Sequence, residues 1–413
     1  MQKRILLLAA TLLFSTSLFA QMRNVRKVES YFSSGKIDEK LDEAKMLMDE
    51  AIQDEKTASK ERAWFNLARV YAEIASAKEP AIQQMAPNAM DVVLNAFEKI
   101  EEMEGGPDGK YGQQTLLIRE NLRVALFNLG VEKQQNPEEA YDIFKDVTRV
   151  VPDDTLATKY AAFFASESGK PQEALALYRQ LADNPKYDKV DVYHYMTQIM
   201  SQELQKKQNR VNELRNQEAS EDEIKEAEAE MNAYKKKSHD LIKEGVKNFP
   251  DDIYLLGRNI DFYIYDNRTD EAIAMLKKAV KLAPDNPTLY TNLGLLYYRD
   301  KKDEEKGIEN YEKAIELAPD DFNAQMGLAI IYYNRGAQIL NDLKVDVYDD
   351  KQSPEMKAIT KHFKDALPYL EKAHAISPEE LQPMAPLKTV YRELGMREKE
   401  KAMDKKLQEA MSN

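Results

Sequence analysis

Residues 253–320 read IYLLGRNIDFYIYDNRTDEAIAMLKKAVKLAPDNPTLYTNLGLLYYRDKKDEEKGIENYEKAIELAPD, and this stretch repeats itself. Ala272, Leu276, Ala279 and Pro284 recur 35 positions later as Gly307, Tyr311, Ala314 and Pro319. Lys277-Lys278-Ala279-Val280 and Glu312-Lys313-Ala314-Ile315 share one texture, and Leu-Ala-Pro-Asp closes both passages. Spacings of four and three place these small and apolar residues on one helical face. Alanine there allows close helix crossing, because a larger side chain would hold the helices apart. Proline then restrains the helix from continuing and helps fix the turn. A third passage ends with Ala366, Leu370, Ala373 and Pro378.

The helices preceding these passages carry a second pattern: Leu293-Gly294 with Tyr297, Leu328-Ala329 with Tyr332, and Trp64, Leu67 and Ala68 with Tyr71. Second helices are marked earlier by Ala44, Met48 and Ala51, by Ala140 and Phe144 ending near Pro152, and by Ala174 and Tyr178 ending near Pro185. Together these residues resemble the tetratricopeptide-repeat family, whose unit is a helix-turn-helix of about 34 residues. The resemblance covers most of 25–411. It implies an all-α, right-handed solenoid of antiparallel helix pairs with elongated insertions, whose first helices line a concave face that binds protein or peptide. Eight pairs are expected near 25–55, 61–103, 114–150, 155–184, 190–249, 253–285, 288–320 and 322–378, with a helical cap at about 383–411. Two departures stand out. Ile260 occupies a position where the family has a small residue, and the 288–320 copy holds one extra residue around its charged turn.

Three breaks divide the rhythm. Gly105, Gly106, Pro107, Gly109 and Gly112 oppose a continuous helix over 104–113, which reads as a joint or as an extended turn inside one solenoid. Residues 201–240 are polar and helix-forming, and Ser220 with Glu223 has the form of a capping box. Two elongated helices breaking near 216–220 are expected there, serving as a solvated spacer, a contact arm or a self-associating coiled coil; Leu204, Val211 and Leu214 supply only a brief stripe for the last. Over 341–365, Asp346, Asp349 and Asp350 lie near Ser353 and Pro354 but lack the ligand order and glycine of a calcium loop, so this stretch reads as lengthened helices joined by an acidic turn. The expected division is a signal peptide at 1–20, N-terminal repeats at 21–103, the joint at 104–113, middle repeats at 114–249 and C-terminal repeats with their cap at 250–413.

Composition narrows the chemistry. The 413 residues include 59 Lys plus Arg against 72 Asp plus Glu, a formal net charge of −13, which disfavours nonspecific nucleic-acid binding. Cysteine is absent, which removes thiolate catalysis, cysteine-ligated zinc and disulfides. His194, His239, His362 and His374 are scattered through helical segments and read as surface or packing residues. With no phosphate-binding glycine loop, metal-ligand cluster or nucleophile triad in suitable context, the expectation is a protein that is not an enzyme and needs no cofactor or metal. Lys3 and Arg4 precede an apolar run from Ile5 to Phe14, and Ala20 is a small residue at a cleavage position. Cleavage there would bring the net charge to −15 (−13 less the two positive charges of Lys3 and Arg4). Leu18-Phe19-Ala20-Gln21 resembles leaders common in exported proteins of Bacteroidetes bacteria. The expected location is the periplasm, with secretion as the alternative, and no membrane span is expected in the mature chain.

The family phase places Tyr254, Asp261 and Tyr265 on the concave face, followed by Thr291, Leu295, Tyr298 and Arg299, then by Asn323, Met326, Ile330 and Tyr333. Tyr263, Tyr297 and Tyr332 fall in the packing pattern instead. The expected function is a scaffold or adaptor holding a protein or peptide, within an outer-membrane assembly, transport or secretion complex. The alternatives are an architectural homo-oligomer joined through 201–240, and a noncatalytic regulator or an enzyme with an unrecognised site.

Overall fold

The computed structural model describes residues 21–187, 190–343, 348 and 352–412. The leader at 1–20 and Asp346, Asp349 and Asp350 of the acidic turn lie outside the described residues. Eighteen helices, taken as nine consecutive pairs, make up the described residues, apart from three single-turn pieces. In order they are α1 (21–33), α2 (Leu41–Gln53), α3 (Glu61–Ala75), α4 (Ala89–Glu104), α5 (Lys110–Glu132), α6 (Pro137–Val150), α7 (Thr155–Glu167), α8 (Pro171–Asp183), α9 (Val190–Asn216) and α10 (Glu221–Asn248). The remainder are α11 (Ile253–Tyr265), α12 (Thr269–Leu282), α13 (Pro287–Leu295, continued by a π turn at Leu296–Asp300), α14 (Glu304–Leu317), α15 (Phe322–Asp342), α16 (Pro354–Ile376), α17 (Leu381–Glu393) and α18 (Arg397–Ser412). The chain is thus an all-α solenoid of helix pairs. It divides into two compact units, one ending at Glu228 and the other beginning at Ala229.

Four of the nine first helices start for a common local reason. Pro152, Pro250, Pro284 and Pro319 each precede two polar residues, the second of which is Asp154, Asp252, Asn286 or Asp321. Each of these four side chains accepts a backbone N–H of the next first turn: Asp154 from Ala157 at 2.8 Å, Asp252 from Leu255 at 2.9 Å, Asn286 from Thr288 at 3.1 Å, and Asp321 from Asn323 at 2.9 Å. The proline ends one pair and the cap opens the next, each cap contributing about 1 kcal/mol. The capping box at Ser220 also forms, with Ser220 N donating to Glu223 Oε2 at 3.0 Å and Glu223 N donating to Ser220 Oγ at 3.3 Å.

In the unit that ends at Glu228, one apolar core runs from Val25 to Ala157. It passes α6 without interruption, so the glycines of 104–113 form the turn between α4 and α5 while the core on either side stays continuous. On the second helices, a small or branched residue, a large one and another apolar residue follow at spacings of four and three, and all are buried: Ala44, Met48 and Ala51; Val93, Phe97 and Ile100; Ala140, Phe144 and Val147; Ala174, Tyr178 and Leu181. The large side chain needs room on the first helix. A Cβ added at Gly130 of α5 would stand 2.8 Å from the Phe144 ring.

In the unit that begins at Ala229 the same arrangement holds Tyr311. A Cβ on Gly294 of its own pair would come within 2.9 Å of that ring, and one on Gly327 of the next pair within 2.3 Å. In the preceding pair, Ile260 fills the position of Gly294 and Leu276 that of Tyr311, both buried in one cluster. The larger first-helix residue stands opposite a smaller second-helix one, so the bulk lost from the ring is partly replaced from the other helix. The extra residue of the 288–320 copy is taken up by the π turn, where Lys301 N donates to Leu296 O at 3.1 Å, five residues back. The expected helical cap is itself a pair, α17 and α18, turned at Gly395 with φ of 72°. Met396 N reaches back to Tyr391 O at 2.8 Å, and Met403 closes the core.

His239 is a packing residue. Its ring stacks on Phe262 with centroids 4.8 Å apart, and Nε2 lies 3.1 Å from Asn259 Oδ1, which requires a proton on Nε2. Burial holds its pKa below the ordinary value, with Lys243 and Arg268 adding to the effect while Asn259 and Asp266 oppose it. Burial lowers His362 and His374 as well.

Two outcomes are expected. Gly130→Leu should cost about 1–3 kcal/mol by overpacking, read as a lowered urea midpoint, with part of the loss recovered in Gly130→Leu/Phe144→Leu. The three histidines bind protons more readily when the chain is unfolded, where their pKa is about 6.5. Their contribution is therefore complete above that pH and declines as pH falls towards the lower folded values. Unfolding midpoints of the wild-type chain at pH 7.5 and 5.5 should differ more than those of His239→Gln, and equal differences would contradict this account.

Candidate functional site

The residues expected on the late concave face divide into three groups. Tyr254, Asp261, Tyr265, Arg299 and Asn323 are exposed. Leu295, Tyr298, Ile330 and Tyr333 are half-buried. Thr291 and Met326 are buried and offer no open surface. Met326 packs with Ala329, Met356 and Ile359, because it lies three residues before Ala329 and four after Phe322, on the helical stripe that faces α16. Thr291 Oγ1 donates to Asp321 Oδ2 at 2.9 Å and so ties α13 to the cap of α15.

Neighbouring first helices also meet where Asn334 Nδ2 donates to Tyr298 Oη at 2.9 Å, a contact the helix phase did not indicate. Leu295 and Tyr298 rest against the cluster around Tyr311, while Tyr333 stacks on Phe363 with centroids 5.7 Å apart. Arg299 is a bidentate partner of its neighbour Asp300, through Nε to Oδ1 at 2.6 Å and Nη2 to Oδ2 at 2.9 Å. Each holds the other ionised, raising the Arg299 pKa and lowering that of Asp300. Tyr265, 65% exposed, lies under Lys235 of α10, with the ammonium 3.8 Å from the ring centroid, and Tyr254 lies near Arg258 of its own helix. The structure therefore brings Leu295 and Tyr298 together with Asn334, and leaves Tyr265 on a separate contact. Of the tyrosines assigned to packing, Tyr263 and Tyr297 are buried, and Tyr332 is half-buried against Tyr369.

Open apolar side chains also lie in the unit that ends at Glu228. On α5, Leu117 is 66% exposed, and Val124, one heptad further, is also exposed. On α7, Leu156, Tyr160 and Phe163 are exposed at spacings of four and three. Tyr160 joins the two helices through Phe127, with ring centroids 5.4 Å apart, and stacks on Phe144 at 4.9 Å. A recess of about 530 Å³ lies between α1, α3 and α5, walled by Phe32, Phe65, Leu117 and Ile118, with Arg69 and Asn121 among its polar groups. A second, of about 220 Å³, is lined by Leu156, Tyr160, Phe163, Tyr178 and Tyr195 with Lys159 at its edge. Leu156, Tyr160 and Phe163 border one recess, so that part of the exposed apolar surface is contiguous.

The repeat phase does not single out these residues, because the clearest repeats lie in the other unit. Their signal was present: α5 and α7 carry apolar residues on both faces, more than one buried stripe requires. Among the described residues there is no group of three or more His, Asp and Glu side chains that could hold a metal ion, and no helix long and apolar enough to cross a membrane.

Comparison with known proteins supports the fold. Residues 261–301 match a family model described as TPR repeat, and residues 287–321 match one described as tetratricopeptide repeat. No curated protein matches the chain. Similar solved structures include MamA from Desulfovibrio magneticus, at 17% identity over 48% of this chain and 96% of that one, with a TM-score of 0.34. Another is YrrB, described as a TPR protein with an unusual peptide-binding site, at 16% identity over 51% of this chain and 94% of that one, TM-score 0.34. A third is a thermophilic TPR protein of Thermus thermophilus, at 20% identity over 49% of this chain and 94% of that one, TM-score 0.29. The tetratricopeptide-repeat fold supports a general role as a protein- or peptide-binding scaffold and is consistent with a non-catalytic adaptor.

The exposed and buried aromatics should respond oppositely to truncation. Phe163→Ser and Leu117→Ser are expected to change stability by less than about 1 kcal/mol, whereas Phe144→Ala, which empties a buried site, should cost about 3–5 kcal/mol by urea denaturation.

Proposed function

We propose that this tetratricopeptide-repeat chain is a periplasmic scaffold or adaptor that holds a protein or peptide segment against its first helices, within an outer-membrane assembly, transport or secretion complex. One observation carries the binding part: Leu117, Val124, Leu156, Tyr160 and Phe163 remain exposed on helices whose other faces are already packed. Covering them with apolar side chains of a partner supplies affinity, while neighbouring polar groups select the register. Tyrosine and phenylalanine suit such a surface because they lose little rotamer freedom when covered. The exposed and half-buried members of the late face, Tyr298 and Arg299 among them, form a second contact region. The scaffold acts by positioning, with no covalent step. Export rests on Lys3, Arg4, the apolar run and Ala20, which together have the order of a leader like those of exported Bacteroidetes proteins.

Cell fractionation followed by mild purification of the full chain tests both parts. The chain is expected in the periplasmic fraction, carrying a recurrent stoichiometric partner. Leu117→Ser/Phe163→Ser should release that partner at unchanged helix content, and Tyr298→Ala/Arg299→Ala should weaken its retention. Recovery in the cytoplasm would overturn the location, and recovery of the chain alone or bound only to itself would overturn the adaptor role.

A further inference from the structure

Arg69 of α3 is a cation whose face is occupied and whose edges are free. Its guanidinium carbon lies 3.6 Å from the centroid of the Phe32 ring and 5.7 Å from that of Phe65. Stacking of this kind uses the π face and leaves the N–H groups pointing outward in the plane. Among the described residues, no ion pair or hydrogen bond engages them. Four other arginines of the same unit are paired: Arg62 with Glu29, Arg119 with Glu101, Arg123 with Glu120 and Asp154, and Arg149 with Asp146. Glu29, the acid of α1 that influences Arg69, is committed to Arg62 and also accepts from Asn66 Nδ2 at 3.0 Å. Burial draws the Arg69 pKa down, and the charges of Glu73 and Glu29, neither of them bonded to the guanidinium, oppose this without reversing it.

We propose that the recess between α1, α3 and α5 receives an acidic side chain carried by an apolar peptide segment, with the Arg69 guanidinium as the partner of its carboxylate. The inference rests on the scaffold reading above and names the chemistry of what the scaffold holds. A planar guanidinium with free edges matches a carboxylate in two parallel hydrogen bonds. The walls, Phe32, Phe65 and Leu117, suit apolar neighbours of that acid. Leu117 and Val124 are about 10 Å apart along α5, so the segment has apolar surface on which to continue past the arginine.

Glu73, one helical turn beyond Arg69, shares the recess and has no ion pair among the described residues. Burial raises the Glu73 pKa, Asp38 adds to the effect and Arg69 opposes it, so the two groups act on each other at a distance while the guanidinium edges stay open to an incoming carboxylate. Glu73 also opposes a second acid, so a segment with one acidic residue is favoured over a run of them.

Calorimetric titration of the full chain tests this with short peptides of alternating leucine and serine, acetylated and amidated to remove terminal charge, carrying one central Glu or one central Gln. The Glu peptide is expected to bind at least about tenfold more tightly, a preference that shrinks as salt is raised. Arg69→Gln should bring the two peptides to equal affinity, Arg69→Lys should retain part of the preference, and Glu73→Gln should increase it. Circular dichroism identifies any variant that fails to fold, and Glu73→Gln, an exposed change, then carries the test alone. Equal binding of both peptides by the wild-type chain, or a preference that survives Arg69→Gln, overturns the assignment. So does an equally tight complex with the Gln peptide bearing a free terminal carboxylate, which would show a chain end to be the anion. Failure of both peptides to bind overturns it too, while partner recovery from cells still decides the scaffold role separately.

Discussion

Where a second helix carries a large ring such as Phe144 or Tyr311, the first helix facing it must present a small residue, and the packing of those pairs rests on that match. Phe144 lies where Gly130 has no Cβ, and Tyr311 lies between Gly294 and Gly327. The absence of a side chain draws the helix axes together, and the ring fills the space so created. The constraint is mutual, as Ile260 and Leu276 make plain: when the first helix gains bulk, the second gives it up. Interiors packed to crystal-like density leave little freedom for any other solution.

Because the buried contacts occupy only one side of each first helix, the opposite side is free to differ from pair to pair. In the late repeats it is crossed by polar ties, Thr291 to Asp321 and Tyr298 to Asn334, which join successive first helices. In the early repeats it carries uncovered leucine, tyrosine and phenylalanine. The same architecture therefore leaves a laced surface in one unit and an uncovered apolar surface in the other. Binding chemistry is set by the residues that the packing rule does not claim.

The packing rule was the part most readable in advance. Ala272, Leu276 and Ala279 announce a buried stripe through their spacing, and Pro-Asp-Asp announces both an end and a beginning. Those signals are local, so they survive without knowledge of the neighbours. The face of Met326 was harder to read, since a drift of one position in helix phase turns a groove residue into a core residue. The contact between Tyr298 and Asn334 joins residues 36 positions apart and depends on how one pair lies on the next. The surplus of apolar residues on α5 and α7 is visible in the sequence, but which of them, Leu117 and Phe163 included, lack neighbours is shown only by the structure. The sequence reads as one helical cap over about 383–411, and the structure divides it into a pair at Gly395, whose left-handed conformation marks the reversal.

The π turn at Leu296–Asp300 bears on how such a chain tolerates change in its own length. An added residue would ordinarily rotate everything after it by about 100° and turn packed side chains out to water. Here the surplus is absorbed in one widened coil, and Tyr311 and Ala314 arrive at their proper places downstream. A gene can thus acquire a codon inside a structural element without scrambling the modules that follow, so repeats of unequal length remain stackable.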